Sequence, residues 1–158
     1  MSLNLQAIQH YCAFQERCHS EVRYKLLELG FRGQDVEEAI ASLVGDGFLN
    51  EERYAKSYIG GKFRIKHWGR KKIVLELKKK KVSDYCIKKG LKEIDEDDYW
   101  NALKKMALKK YSELKTEKNV WIRKQKTQRY LLQKGFESDL IQEILKEIEI
   151  NNEWKSNL

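Results

Sequence analysis

The chain is predicted to be all-α, built as three tandem three-helix (helix-turn-helix-like) repeats in an elongated, curved arrangement. Three observations predict it. Apolar residues recur at spacings of three and four almost from end to end, the period of a helix with one buried face. No proline occurs in 158 residues, where average usage of roughly 5% would place about eight. One pattern of helix, tight turn and second helix occurs three times in register.

The elements follow in order. Leu5, Ile8, Tyr11 and Cys12 form the first stripe. Val22, Leu26, Leu27 and Leu29 form the second, with Ser20 as expected N-cap and Gly30 as stop. Val36, Ala39, Ile40 and Leu43 follow, ending at Gly45-Asp46-Gly47. Asn50 caps a fourth helix whose first turn holds Glu51 and Glu52, where carboxylates suit the positive dipole end. Its inward face is Tyr54, Ala55, Tyr58 and Ile59. The fifth starts near Gly69 with Ile73, Val74 and Leu77 inward, and the sixth at Ser83, burying Ile87 and Leu91. The seventh, expected to be the longest, starts near Asp95 and carries Tyr99, Leu103, Met106, Ala107 and Leu114. An eighth runs from about Asn119 to Lys134, and a ninth from Ser138 carries Ile141, Ile144, Leu145 and Ile148.

The repeat sits in the turns. Leu26-Leu27-Glu28-Leu29-Gly30-Phe31 aligns with Leu131-Leu132-Gln133-Lys134-Gly135-Phe136 at an offset of 105. Between them Leu77-Lys78-Lys79-Lys80-Lys81-Val82 fits at an offset of 51. Gly30 and Gly135 stand where a left-handed residue ends a helix; Lys81 stands there in the middle unit, at a cost of order ~1 kcal/mol or with a differently built turn. The units are placed at 1–47, 48–94 and 95–150, with a tail at 151–158.

Composition excludes several classes. Hydrophobic residues are 41% and charged residues 35%, with 32 Lys+Arg against 24 Asp+Glu for a net charge of +8. No apolar run approaches the ~20 residues that span a bilayer, and no signal peptide is visible, so a cytoplasmic chain without membrane contact is expected. Three cysteines, Cys12, Cys18 and Cys86, fit reduced thiols. Cys12 and Cys18 lie six apart, about 240° around a helix, so a zinc site with His10 and His19 is not expected. The acidic run Glu93, Asp95, Glu96, Asp97, Asp98 lacks the calcium-loop pattern and reads as a linker and helix start. Neither a phosphate-binding Gly-rich loop nor a nucleophile elbow is present. The chain therefore reads as a non-enzyme with no metal and no cofactor. A repeat that buries its own faces makes no demand for a dimer, and a monomer is expected.

The charge is localised. Residues 62–81 hold ten Lys/Arg against Glu76 alone, +9, and the rest of the chain sums to −1. The run comprises Lys62, Arg64, Lys66, Arg70, Lys71, Lys72, Lys78, Lys79, Lys80 and Lys81, interleaved with Phe63 and Trp68. Such a patch suits a polyanion; a solvated helix surface is the alternative. Trp68 stacks on unpaired bases or anchors the core. Backbone phosphate contacts carry no sequence information, so binding there is sequence-tolerant. The second helix of each pair starts with an acidic residue (Asp35, Asp84, Asp139), which disfavours reading of a major groove.

One stretch resembles a known family. Gly47-Phe48-Leu49-Asn50-Glu51-Glu52-Arg53-Tyr54-Ala55, then Gly69-Arg70-Lys71-Lys72-Ile73 and Glu76-Leu77, is similar to the core signature of the RecX family, bacterial regulators of the recombinase RecA. Arg17, Ser20-Glu21-Val22, Lys25-Leu26 and Leu29-Gly30-Phe31 resemble its N-terminal motif, and Leu131 to Phe136 its C-terminal one. The resemblance spans roughly residues 7–148. It implies three tandem three-helix units. It also implies binding within the groove of the RecA–single-stranded DNA filament, with effects, inhibitory in most members, on RecA ATPase, filament growth and strand exchange in recombination, repair and the SOS response. Two positions depart from the family pattern: Arg70 stands where a proline is frequent, and Lys80-Lys81 where Lys-Gly is usual. On this reading the signature residues Gly47 to Ala55, with Gly69, Ile73, Leu77, Gly30, Phe31, Gly135 and Phe136, are mainly structural. The basic run with Trp68 contacts filament and DNA, single-stranded or double-stranded. A sequence-tolerant DNA-binding repeat acting without RecA is the alternative.

Overall fold

The computed structural model describes residues 5–156, with side chains through residue 149. All regular structure among these residues is helical: α1 Leu5–Phe14, α2 His19–Glu28, α3 Gln34–Gly45, α4 Glu51–Arg64, α5 Arg70–Lys79, α6 Asp84–Leu91, α7 Glu96–Glu113, α8 Val120–Gln133 and α9 Ser138–Ser156. This is the all-α repeat expected from the apolar period. The side chains of the 151–158 tail lie outside the described residues. No helix among those described is long and apolar enough to cross a membrane.

Helix starts follow local chemistry. Asn50, Ser83, Asp95 and Asn119 each accept a hydrogen bond from the backbone N–H three residues on. The second helix corrects the expected cap: Cys18, not Ser20, is its N-cap, and Glu21 accepts from the Cys18 backbone N–H at 3.1 Å. The Ser20 hydroxyl instead donates to the Lys80 carbonyl at 2.7 Å. In α6, Gly90 is buried and Leu91 only half-buried, against the expectation. A β-carbon on Gly90 would lie 2.5 Å from Ile59 and 3.3 Å from the Ala55 backbone, so the small residue faces α4. The longest helix is α9, by one residue over α7.

The repeated turn is the same hydrogen-bonded structure each time. Phe31, Val82 and Phe136 donate their N–H to the carbonyls of Leu26, Leu77 and Leu131, five residues back. Gly30, Lys81 and Gly135 donate to Leu27, Lys78 and Leu132, three back. These are the paired bonds of a helix closed by a left-handed residue. The φ values agree, +97° at Gly30, +62° at Lys81 and +96° at Gly135. Gly47, at +80°, closes α3 in the same way, with Phe48 donating to Leu43.

The chain divides into two compact units, Met1–Gly61 with Val74–Glu93, and Lys62–Ile73 with Ile94–Leu158. The last turn of α4, the first turn of α5 and the residues between them thus belong to the second unit. The first unit is centred on Ile8, Cys12, Val22, Leu26, Val36, Ile40, Leu43 and Leu49, all buried. The second is centred on Leu103, Ala107, Leu131, Ile141 and Ile144. There Tyr99 lies between Phe63 and Phe136, with ring centroids 5.7 and 5.3 Å away.

Candidate polyanion interface

The basic run begins where α4 ends. His67 has φ +59°, and the Trp68 N–H donates back to the Lys62 carbonyl at 3.0 Å. Trp68 is half-buried. The ammonium groups of Lys62 and Lys72 stand 4.8 and 4.5 Å from its ring, so the indole supports two cations. Arg64, Lys66 and Lys71 are exposed. Farther on, Lys78, Lys79 and Lys81 are exposed and Lys80 is half-buried. Lys79 bonds Glu76 at 3.2 Å, and Lys78 lies 4.0 Å from Asp84. These are exposed pairs, worth little and readily exchanged for another anion. The run is divided: Lys62 through Lys72 fall in the second unit and Lys78 through Lys81 in the first.

Arg70 differs from the rest. Its guanidinium stacks 3.8 Å over the Tyr99 ring and bonds Glu137 at 2.9 Å and Glu96 at 2.7 Å. Its backbone N–H donates to the Tyr99 hydroxyl at 3.0 Å, and that hydroxyl donates to Glu137. A proline here would have no N–H to give. Burial, then the bond to Glu137, push the Tyr99 phenol well above its ordinary pKa. The charge of Arg70 is thus already matched by Glu96 and Glu137 inside the second unit. No local signal in the sequence could have shown this, because Glu137 lies 67 residues away.

The turn is held by backbone. The Gly69 N–H donates to the Lys134 carbonyl at 2.7 Å, and the Lys71 N–H to the Gly135 carbonyl at 2.9 Å. The free N–H groups opening α5 thus meet the free carbonyls closing α8. A β-carbon on Gly69 would lie 2.4 Å from the Gly135 carbonyl carbon, and one on Gly135 would lie 2.4 Å from the Lys72 β-carbon.

The signature residues are placed in the first unit as follows. Leu49, Tyr54, Ala55 and Leu77 are buried, and Phe48 packs against the core. Glu51 accepts from two backbone donors, His19 at 3.0 Å and Ser83 at 3.3 Å, joining the starts of α2 and α6 to α4. Arg53 bonds Glu16 at 2.6 Å and the Gly47 carbonyl at 3.1 Å. Burial, then the Glu21 charge, raise the Tyr54 phenol well above its ordinary pKa. Phe31 is buried below its turn in this unit; in the second unit Ile73 and Phe136 are buried. Among the described residues no cluster of three or more His, Cys, Asp or Glu is arranged to hold a metal. The cysteines are free, and burial raises the thiol pKa of Cys12 and Cys18.

Comparison with known proteins gives a consistent result. Residues 50–91 match the second three-helix domain of RecX, and residues 96–145 the third. A protein named Regulatory protein RecX from Clostridium perfringens (strain 13 / Type A) is 37% identical over 139 residues, covering 87% of this chain and 64% of that protein. The chain thus spans less than two thirds of that relative's length. Its namesake from Vibrio vulnificus (strain CMCP6) is 33% identical over 121 residues, 77% of this chain and 76% of that one. The crystal structure of RecX from Lactobacillus salivarius superposes with a TM-score of 0.84 at 26% identity, over 92% of this chain and 94% of that one.

Proposed function

The chain belongs to the RecX family of regulatory proteins, and from that premise we propose that it modulates a RecA-type recombinase in the bacterial cytoplasm. It binds the filament of recombinase on single-stranded DNA, inhibits ATP hydrolysis, filament growth and strand exchange, and acts by binding rather than by catalysis. The observation that carries this reading is the basic run at 62–81, set within a signature otherwise occupied with packing and capping. Arg64, Lys66, Lys71, Lys78, Lys79 and Lys81 present exposed ammonium and guanidinium groups. Phosphate neutralisation by such groups releases counterions and makes binding salt-dependent.

The test is RecA ATPase on single-stranded DNA with substoichiometric protein. Strong inhibition there supports filament docking. Inhibition only when the protein is abundant enough to coat free DNA favours the second reading, a sequence-tolerant DNA-binding repeat acting without RecA, to which the local charge of +9 also points. Lys71, Lys72, Lys78 and Lys79, changed together to Gln, flatten the salt dependence by up to ~0.9 in log–log slope per lost duplex contact. An unchanged slope removes the run from the interface.

A further inference from the structure

We propose that a second surface, a cleft of about 580 Å³ across α7 and α8, binds an acidic peptide segment carrying one large apolar side chain, presented by a partner protein. All of its lining lies in the second unit; it shares Arg64 with the basic run and Lys134 with the C-terminal motif. The volume is that of a site for a few side chains or a small molecule. The segment is named by its chemistry, and the cleft adjoins the basic run at Arg64.

One face of α7 builds it. Asp98, Ala102, Lys105, Met106 and Lys109 recur at helical spacing and all line the cleft. Ala102 leaves room where a larger residue would close the floor. Met106, half-buried, adapts its shape to an incoming side chain. The rim is cationic: Arg64, Lys105, Lys109, Lys110 and Lys134 stand against the two carboxylates Asp98 and Glu113. Lys134 is held there by its bond to the Lys66 carbonyl at 3.2 Å. An apolar floor under a positive rim is complementary to an apolar residue flanked by Asp and Glu.

A nucleic-acid strand fits less well. Sequence-tolerant strand binding uses open aromatic faces on which bases stack. Phe63 is 9% exposed and packs on Tyr99, while Tyr130 is half-buried with the Lys110 ammonium 4.9 Å from its ring. Asp98 and Glu113 stand fifteen residues apart on α7, about 22 Å along the helix. They would repel a continuous phosphate backbone at both ends of the face, yet leave between them the span of about six extended peptide residues.

The experiment uses the full chain and a fluorescein-labelled hexapeptide of Asp and Glu with one central Phe, followed by anisotropy. The same peptide with Ala in place of Phe is the control, and unlabelled (dT)8 is the competitor. The Phe peptide is expected to bind roughly tenfold more tightly than the Ala peptide, the scale of burying one aromatic side chain. Ala102→Trp, filling the floor, should abolish that preference. Lys105→Gln with Lys109→Gln keeps similar helix propensity and should weaken both peptides, a readout that remains if the Trp variant does not fold. No binding, equal affinity of the two peptides, a preference that survives Ala102→Trp, or peptide affinity unmoved by the Gln pair overturns the proposal. Displacement of the Phe peptide by equimolar (dT)8 also overturns it, in favour of a nucleotide site.

Discussion

The turns at Gly30 and Gly135 are the same object in two settings. Both close a helix with the same pair of backbone bonds, and φ is +97° in one and +96° in the other. Around Gly30 a β-carbon would meet nothing within 4 Å. Around Gly135 it would meet the β-carbon and backbone nitrogen of Lys72 at 2.4 and 2.6 Å. The first glycine answers to backbone conformation alone; the second answers to conformation and to space. Lys81 is the third case, with the same bonds and φ +62° on an exposed side chain. Where the surroundings are open, the turn tolerates a side chain at modest cost. Where a second helix docks on it, it does not.

The largest effect should therefore be at the docked turn. Gly135→Ala adds left-handed strain of about 1–2 kcal/mol to overpacking of similar size, and should lose about 3 kcal/mol by urea unfolding. Gly69→Ala isolates the second contribution, because Gly69 has no left-handed φ but would meet backbone at 2.4–2.5 Å. A loss below about 1 kcal/mol there would show that the two segments yield easily, and the contrast with Gly30 would shrink to nothing. Arg70→Met comes next. It leaves Glu137, 22% exposed, without its cation, and should cost about 1–2 kcal/mol after allowance for partial solvent screening. Gly30→Ala should cost about 1 kcal/mol, the strain alone. Smallest, and opposite in sign, Lys81→Gly should stabilise by about 0.5 kcal/mol: relief of strain exceeds the added entropy of an unfolded glycine. A destabilising Lys81→Gly would mean that the Lys81 side chain contributes contacts of its own.

These contrasts also mark what could be read from the chain and what could not. Helix starts at Asn50, Ser83, Asp95 and Asn119 were legible because a cap acts over three residues. So was the turn repeat, because its bonds close within five; at Lys81 the sequence left a strained or a differently built turn open, and the structure shows the left-handed one. The apolar faces were legible by period in most helices, but Leu5 and Leu27 of the expected stripes are exposed, and Gly90 presses toward α4 and takes the buried position expected of Leu91. The misread cap at Cys18 has a nonlocal cause: Ser20, the better capping residue, is drawn to the Lys80 carbonyl sixty residues on. The charge of the basic run was plain, but the pairing of Arg70 was not, since its partners are Glu96, Tyr99 and Glu137. The cleft on α7 escaped for the same reason. Its lysines look like an ordinary solvated helix face until Phe63 and Tyr130 arrive beneath them.

The pairing of Gly69 with Gly135 has a consequence for the order of folding. The chain makes residues 62–73 early and their partners more than sixty residues later. During synthesis from the N-terminus, the end of α4 and the beginning of α5 must wait while α6, α7 and α8 emerge. Closure over such a distance in sequence is slow relative to helix formation. Assembly of the second unit is thus timed by the arrival of Lys134 and Gly135, and a ribosome stalled before that point holds a chain whose basic turn has no seat.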